Sequence, residues 1–145
     1  MKITIYTDGG YRPKENVGAW ACSLRYKEHY KEMSGYCLNT TNNVMELTAV
    51  INALKALKRP CEVELYSDSE YVVKGITEWI HGWLKNGWKS KSRSPVKNQE
   101  YWKELHALTT IHNISFTWVK GHNKDKNNER VDFLCNQAMN NALTM

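Results

Sequence analysis

No apolar run in this sequence approaches the ~18 residues needed to span a bilayer, and Met1-Lys2-Ile3 leads straight into a strand pattern, not into the apolar part of a signal peptide. A soluble, cytoplasmic chain is expected. Cysteine is sparse: Cys22, Cys37, Cys61 and Cys135 lie far apart, with no pair at zinc-ligand or redox spacing, so buried free thiols are expected and disulfides are not. Linkers, low-complexity stretches and long repeats are also missing. What remains is a chain of 145 residues and 41% hydrophobic content, which fits one domain over residues 1–145. A chain of this length buries roughly 68–70% of the surface it exposes when unfolded.

Acidic residues are scarce in one place. The formal charge is +5, and residues 74–97 carry all of it: Lys74, Lys85, Lys89, Lys91, Arg93 and Lys97 stand against Glu78 alone. A local cationic excess attracts polyanions, because neutralising phosphates releases condensed counterions; a solvated lysine-rich loop that only aids solubility accounts for the charge equally well.

The pattern predicts an α/β fold in the order βββαβααβα: a five-stranded mixed sheet with helices on both faces. Residues 2–7 alternate with Ile3, Ile5 and Thr7 on one side, and Gly9-Gly10 is expected to end that strand. Residues 17–25 and 30–37 continue an antiparallel meander. Asn43 and Glu46 have capping-box spacing ahead of a helical stripe of Leu47, Val50, Ile51, Leu54 and Leu57, closed by Pro60. That helix is the crossover to a parallel strand over 62–66. Ser67 and Glu70 repeat the capping spacing before a helix running from Asp68 towards Trp83. A helix over 98–108, a strand over 114–119 and a last helix burying Val131, Leu134, Cys135, Ala138 and Met139 complete the chain.

Two strands end alike, Tyr6-Thr7-Asp8 and Tyr66-Ser67-Asp68, and each leaves a carboxylate where the strand stops. Glu46 and Asp132 lie near the starts of two apolar helices. Singly, each acid has a structural explanation as a turn residue, a cap or a helix-dipole partner. Jointly they point elsewhere, because adjacent parallel strands form sites beyond their carboxyl ends. Carboxylates gathered there repel one another and favour bound cations; Mg²⁺ suits hard oxygen ligands, and a pair of ions ~3.5–4 Å apart supports phosphoryl displacement. His122, after Gly121 in a polar loop, supplies a candidate proton carrier. In a basic chain this combination suggests metal-dependent cutting of nucleic acid.

The chain resembles the type 1 ribonuclease H family. The resemblance is carried by Tyr6-Thr7-Asp8-Gly9, Thr40-Thr41-Asn42-Asn43-Val44-Met45-Glu46, Ser67-Asp68-Ser69, Trp79-Ile80-His81, Pro95-Val96-Lys97-Asn98, Trp118-Val119-Lys120-Gly121-His122 and Asn128-Glu129-Arg130-Val131-Asp132, in the family's order over nearly the whole chain. It implies a ribonuclease H-like fold and hydrolysis of the RNA strand of an RNA/DNA hybrid, giving 5′-phosphate and 3′-hydroxyl ends. It further implies two Mg²⁺ ions, with Mn²⁺ as a substitute, held by Asp8, Glu46, Asp68 and Asp132, with His122 aiding proton transfer or product release. Residues matching Thr41 and Asn98 help grip a DNA-strand phosphate, and the amides of Asn42 and Asn43 suit a ribose 2′-hydroxyl. The tryptophan-bearing basic segment looks like the family's protrusion that holds the DNA strand; Trp79 is expected mainly to pack, leaving Trp83, Lys85, Trp88 and Lys89 as contacts.

The pattern departs from the family in places. The stretch after Asp8 is less glycine-rich, Asn39 stands where an arginine is common, Glu70 where a glutamine commonly meets the RNA, and Leu84 and Asn86 where basic residues are frequent. Weaker or more salt-sensitive substrate affinity is expected. The alternatives are a transposase- or integrase-like catalytic core and a non-catalytic hybrid-binding module. A monomer with no obligatory protein partner is expected.

Overall fold

Alternation in the first strand sets the layers: Ile3, Ile5 and Thr7 are buried beneath one face, while Lys2, Thr4 and Tyr6 keep partial exposure on the other. In the computed structural model, which describes residues 2–121 and 125–144, three strands form a meander: β1 (Lys2–Arg12), β2 (Val17–Tyr26) and β3 (His29–Leu38). Helix α1 (Asn42–Lys55) crosses to β4 (Glu62–Ser67), which pairs parallel with β1, and β5 (Asn113–Trp118) pairs parallel with β4. The resulting five-stranded mixed sheet has the order β3-β2-β1-β4-β5. Its two faces bury two cores. Ile5, Cys22 and Leu65 pack with Leu47, Leu54 and Trp102 on one side, and Val17, Ala19 and Ala21 pack with Val131, Cys135 and Met139 of α5 (Lys126–Leu143) on the other. Each fully buried aliphatic side chain contributes roughly 1.5–3 kcal/mol of transfer free energy.

Several local expectations are corrected. Gly9-Gly10 does not end β1, which continues to Arg12; Gly9 instead lets α1 approach, since a Cβ there would lie 2.4 Å from the Glu46 backbone nitrogen. The caps fall two residues away from the predicted ones. Thr41 caps α1 by accepting the Val44 N–H at 3.2 Å, and Ser69 caps α2 (Glu70–Lys74) by accepting the Val72 N–H at 3.2 Å. Neither Asn43 nor Ser67 is the cap: Asn43 already lies within α1, and Ser67 is the last residue of β4, its Oγ accepting the Ser69 N–H. The helix expected to reach Trp83 is broken into α2, a π-helical turn (Gly75–Trp79) and α3 (Ile80–Lys85). The wide turn accompanies a close contact: a Cβ on Gly75 would sit 2.1 Å from Trp102 Cη2, on α4 (Gln99–Ile111). Cys22, Cys61 and Cys135 are buried free thiols as expected, but Cys37 is exposed on the outer strand β3.

At the α4–β5 junction His112 is buried, and its Nδ1 accepts the Cys61 backbone N–H at 3.1 Å. Burial lowers its pKa below the ordinary value of 6.5. A lowered histidine pKa means that the unfolded chain takes up protons first, so stability is full above about pH 6.5 and is lost as pH falls towards the folded-state pKa. His112→Asn keeps an acceptor for Cys61 without the titration. Thermal unfolding between pH 7.5 and 5 is expected to show a smaller loss of Tm for this variant than for the wild type.

Candidate active site

The register of the central strands builds the site. Thr7 pairs with Ser67 across the parallel β1–β4 ladder, so the chain carries Asp8 and Asp68 side by side at the same end of the sheet. Gly9 admits α1 close above, which brings Glu46 beside Asp8. Ligand oxygens of Asp8, Glu46 and Asp68 lie within 4.8 Å of one another. Asp132, nearly two turns into α5 on the opposite face of the sheet, adds its negative charge to that felt by Asp8 but is not one of the three carboxylates at ligand spacing.

The turn bearing Asp68 is pinned from three directions. Ser67 Oγ accepts the Ser69 N–H at 3.0 Å, the Val119 N–H donates to Ser67 O at 2.9 Å, and Trp118 Nε1 donates to Asp68 O at 3.1 Å. Gly121 also presses close, for a Cβ there would lie 3.2 Å from Asp68 Oδ2. Sequence reading missed Trp118 as a support of the site. It missed as well the partnership behind the repeated Tyr-[Thr/Ser]-Asp endings: Tyr6 and Tyr66 stack at 4.7 Å with a 16° interplanar angle, and the repetition was the signal for it.

Burial and repulsion dominate the electrostatics. Asp8 is only 5% exposed, and desolvation, followed by the negative charges of Glu46, Asp68 and Asp132, raises its carboxyl far above the usual range. Desolvation and Asp68 likewise raise Glu46 well above 4.5, opposed by a hydrogen bond from the Gly9 N–H. Glu46 Oε1 is buried with no hydrogen-bond partner among the described residues. An orphaned carboxylate oxygen, beside two further carboxylates at ligand spacing, fits a divalent cation with a preference for hard oxygen donors.

Most of the remaining candidates lie at element ends. Thr41, Asn42 and Asn43 form the start of α1, Glu70 the start of α2, where it pairs with Lys74 at 3.3 Å, and Asn98 the residue before α4. Lys85 and Lys89 are exposed. The tryptophan assignment is corrected: Trp83 and Trp88 are the half-buried rings packed against the core, whereas Trp79 is 41% exposed. Trp83 is held 5.2 Å from the buried Trp102, and the π-helical turn leaves Trp79 at the rim. His122 lies outside the described residues.

Because Asp8 and Glu46 ionise less readily in the fold than in the unfolded chain, their charges cost nothing below about pH 4 and increasingly destabilise the metal-free fold as pH rises through neutrality. Asp8→Asn is therefore expected to raise the Tm of chelator-treated protein at pH 7.5 by a few degrees, on the order of 1 kcal/mol. The same variant should gain less Tm than the wild type on addition of Mg²⁺, as read by calorimetry.

Comparison with known proteins agrees with this geometry. The family model described as RNase H matches residues 1–140. A Ribonuclease H from Chromohalobacter salexigens is 53% identical over 137 residues, covering 94% of this chain and 84% of the relative. A Ribonuclease HI from Neisseria meningitidis serogroup B is 51% identical over 136 residues, covering 94% of each. Among solved structures, LC9-RNase H1, a type 1 RNase H with the type 2 active-site motif, aligns with a TM-score of 0.85 at 28% identity over 97% of this chain and 72% of that one. LC11-RNase H1 in complex with RNA/DNA hybrid aligns with a TM-score of 0.73 at 26% identity, over 97% and 99%. With a family match along nearly its full length and relatives sharing half of its residues, this chain belongs to the RNase H family, on the type 1 branch.

Proposed function

We propose that this chain is an endoribonuclease that hydrolyses the RNA strand of an RNA/DNA hybrid and leaves 5′-phosphate and 3′-hydroxyl ends. The observation that carries the reading is the convergence of Asp8, Glu46 and Asp68, with Asp132 beside Asp8, in a chain whose relatives are ribonucleases H. The hybrid as substrate class is supported by the complex formed by LC11-RNase H1.

Asp8, Glu46, Asp68 and Asp132 would hold two Mg²⁺ ions, with Mn²⁺ able to substitute. When bound, such ions supply Lewis acidity to the attacked phosphodiester and lower the pKa of water to that of a competent nucleophile. The chain's own groups do the rest. Strand pairing at Asp8 and the pinned turn after β4 keep these carboxylates from relaxing apart, so little reorganisation accompanies charge development in the transition state. His122, one residue beyond the Gly121 that abuts Asp68, is assigned proton transfer or product release. Thr41 and Asn98 are assigned a phosphate of the DNA strand, and Asn42 and Asn43 the 2′-hydroxyl that separates RNA from DNA in the minor groove.

Residues 86–98, with Lys85 just before them, form the cationic arm that meets the DNA strand. Trp83 and Trp88 brace it, with ring centroids 6.3 Å apart, and Lys103 lies 5.6 Å from the Trp88 ring. Glu70, exposed and paired with Lys74, offers the RNA no amide donor, which weakens the grip expected of a glutamine there.

Labelled RNA/DNA hybrid, duplex RNA and duplex DNA incubated with Mg²⁺ test the reading. Only the hybrid should be cut, only on its RNA strand, and chelator should abolish cutting. Asp8→Asn is expected to lower kcat by at least about 10²-fold while hybrid binding persists; cleavage retained at the wild-type rate refutes the metal-ligand assignment. Lys89→Ala should raise KM with kcat unchanged and reduce the slope of log affinity against log salt by about one, measured between 50 and 200 mM salt.

A further inference from the structure

Asn98 stands at an unusual point of the backbone. Its φ of 61° and ψ of 31° are left-handed, and although it occupies the position that caps α4, its side chain makes no capping hydrogen bond. An asparagine at a helix start ordinarily accepts from the first turn. Here the amide is turned away instead, and Asn98 Nδ2 donates to the Tyr71 hydroxyl at 3.1 Å.

The same hydroxyl has a second partner. Trp102 is fully buried, its indole N–H can only donate, and Nε1 lies 3.1 Å from the Tyr71 oxygen. Both lone pairs of the hydroxyl are thus committed, one to a residue of the core and one to a residue at the rim. Its own hydrogen remains to be given, and among the described residues no side chain or carbonyl accepts it. A hydroxyl that accepts twice is polarised towards donation. The Tyr71 ring is itself fixed, 5.2 Å from Trp102 and 6.1 Å from Trp79, so the hydroxyl is held in place independently of Asn98.

We propose that Tyr71 is a positioning residue for the DNA-strand phosphate: its hydroxyl, anchored by Trp102, fixes the Asn98 amide and presents a further donor to the same non-bridging oxygens. This rests on the reading of Asn98 as a phosphate contact. An anion is the fitting ligand because the groups these two bonds leave unused, the hydroxyl proton and the second amide N–H, are both donors. The buried tryptophan makes the arrangement one-directional, for an indole cannot accept and so cannot release the tyrosine oxygen from its accepting role.

The test is steady-state cleavage of a hybrid by Tyr71→Phe, Asn98→Ala and the double variant, below the Tm of each. Tyr71→Phe keeps the ring and removes the hydroxyl. It is expected to raise KM up to about tenfold with kcat nearly unchanged, the size of one charge-assisted hydrogen bond. Asn98→Ala should raise KM at least as far, and the double variant further than either alone but by less than the product of the two, since the two share one hydrogen bond. A purely structural role predicts a lower Tm for Tyr71→Phe, through the orphaned indole, with KM unmoved. That outcome overturns the proposal, as do independent multiplicative effects in the double variant or an unchanged KM for Asn98→Ala. If the wild type fails to cut the hybrid, the proposed function falls and takes this inference with it; if the wild type cuts and Tyr71→Phe matches it in KM, only this inference falls.

Discussion

The parallel pairing of β1 with β4 holds negative charges where they repel. Six consecutive residues of each strand are in register, from Lys2 opposite Glu62 to Thr7 opposite Ser67, and the next residue on either side is an aspartate. Neither can retreat without breaking the ladder or the hydrogen bonds that pin the Asp68 turn. Glu46 is forced in from above because Gly9 lets the helix backbone descend onto the strand. The fold thus keeps several carboxylates in a poorly hydrated space, an unfavourable arrangement for the bare protein and a favourable one once cations are present. Stability and chemistry are set against each other at these few side chains, as is common where a site is assembled before its ligand arrives.

A second constraint comes from aromatic packing. Trp102 is fully buried, and Gly75, Tyr71 and Trp83 pack around it. Gly75 is required there because any side chain would occupy the indole's space, and the helix widens into a π turn at the same point. This cluster is the base of the cationic arm. It converts a lysine-rich loop, which would otherwise be only a solvated charge, into a surface with a defined position relative to the carboxylates.

Much of this was legible along the chain. The alternation of residues 2–7, the stripe of Leu47, Val50, Ile51 and Leu54, and the apolar face of the last helix each report a period that burial imposes, and the structure buries those residues. Asp8, Asp68 and Glu46 were legible through the repeated Tyr-[Thr/Ser]-Asp string and the helical stripe that follows Glu46, and the structure brings these three together. The helix starts were misjudged for a physical reason: capping-box spacing is a weak local signal, and Ser67 is taken up by the end of the β4 ladder while α1 begins one residue before Asn43, leaving Ser69 and Thr41 as the caps. Gly9-Gly10 looked like a strand end because glycine is permissive, yet Gly9 lies within a strand for lack of space above it. Which tryptophans pack most deeply was misjudged because spacing alone does not say which ring of a cluster reaches the core.

The order of elements, the two buried faces and the candidacy of Asp8, Glu46 and Asp68 were determined by the sequence alone, since hydrophobic period and residue type act over a few neighbouring positions. How closely Asp8, Glu46 and Asp68 converge, which tryptophan stays exposed, and the bonds that tie Trp102 through Tyr71 to Asn98 were decided only by the tertiary structure. Those relations join residues tens of positions apart, and their distances follow from strand register and close packing, which no local pattern encodes.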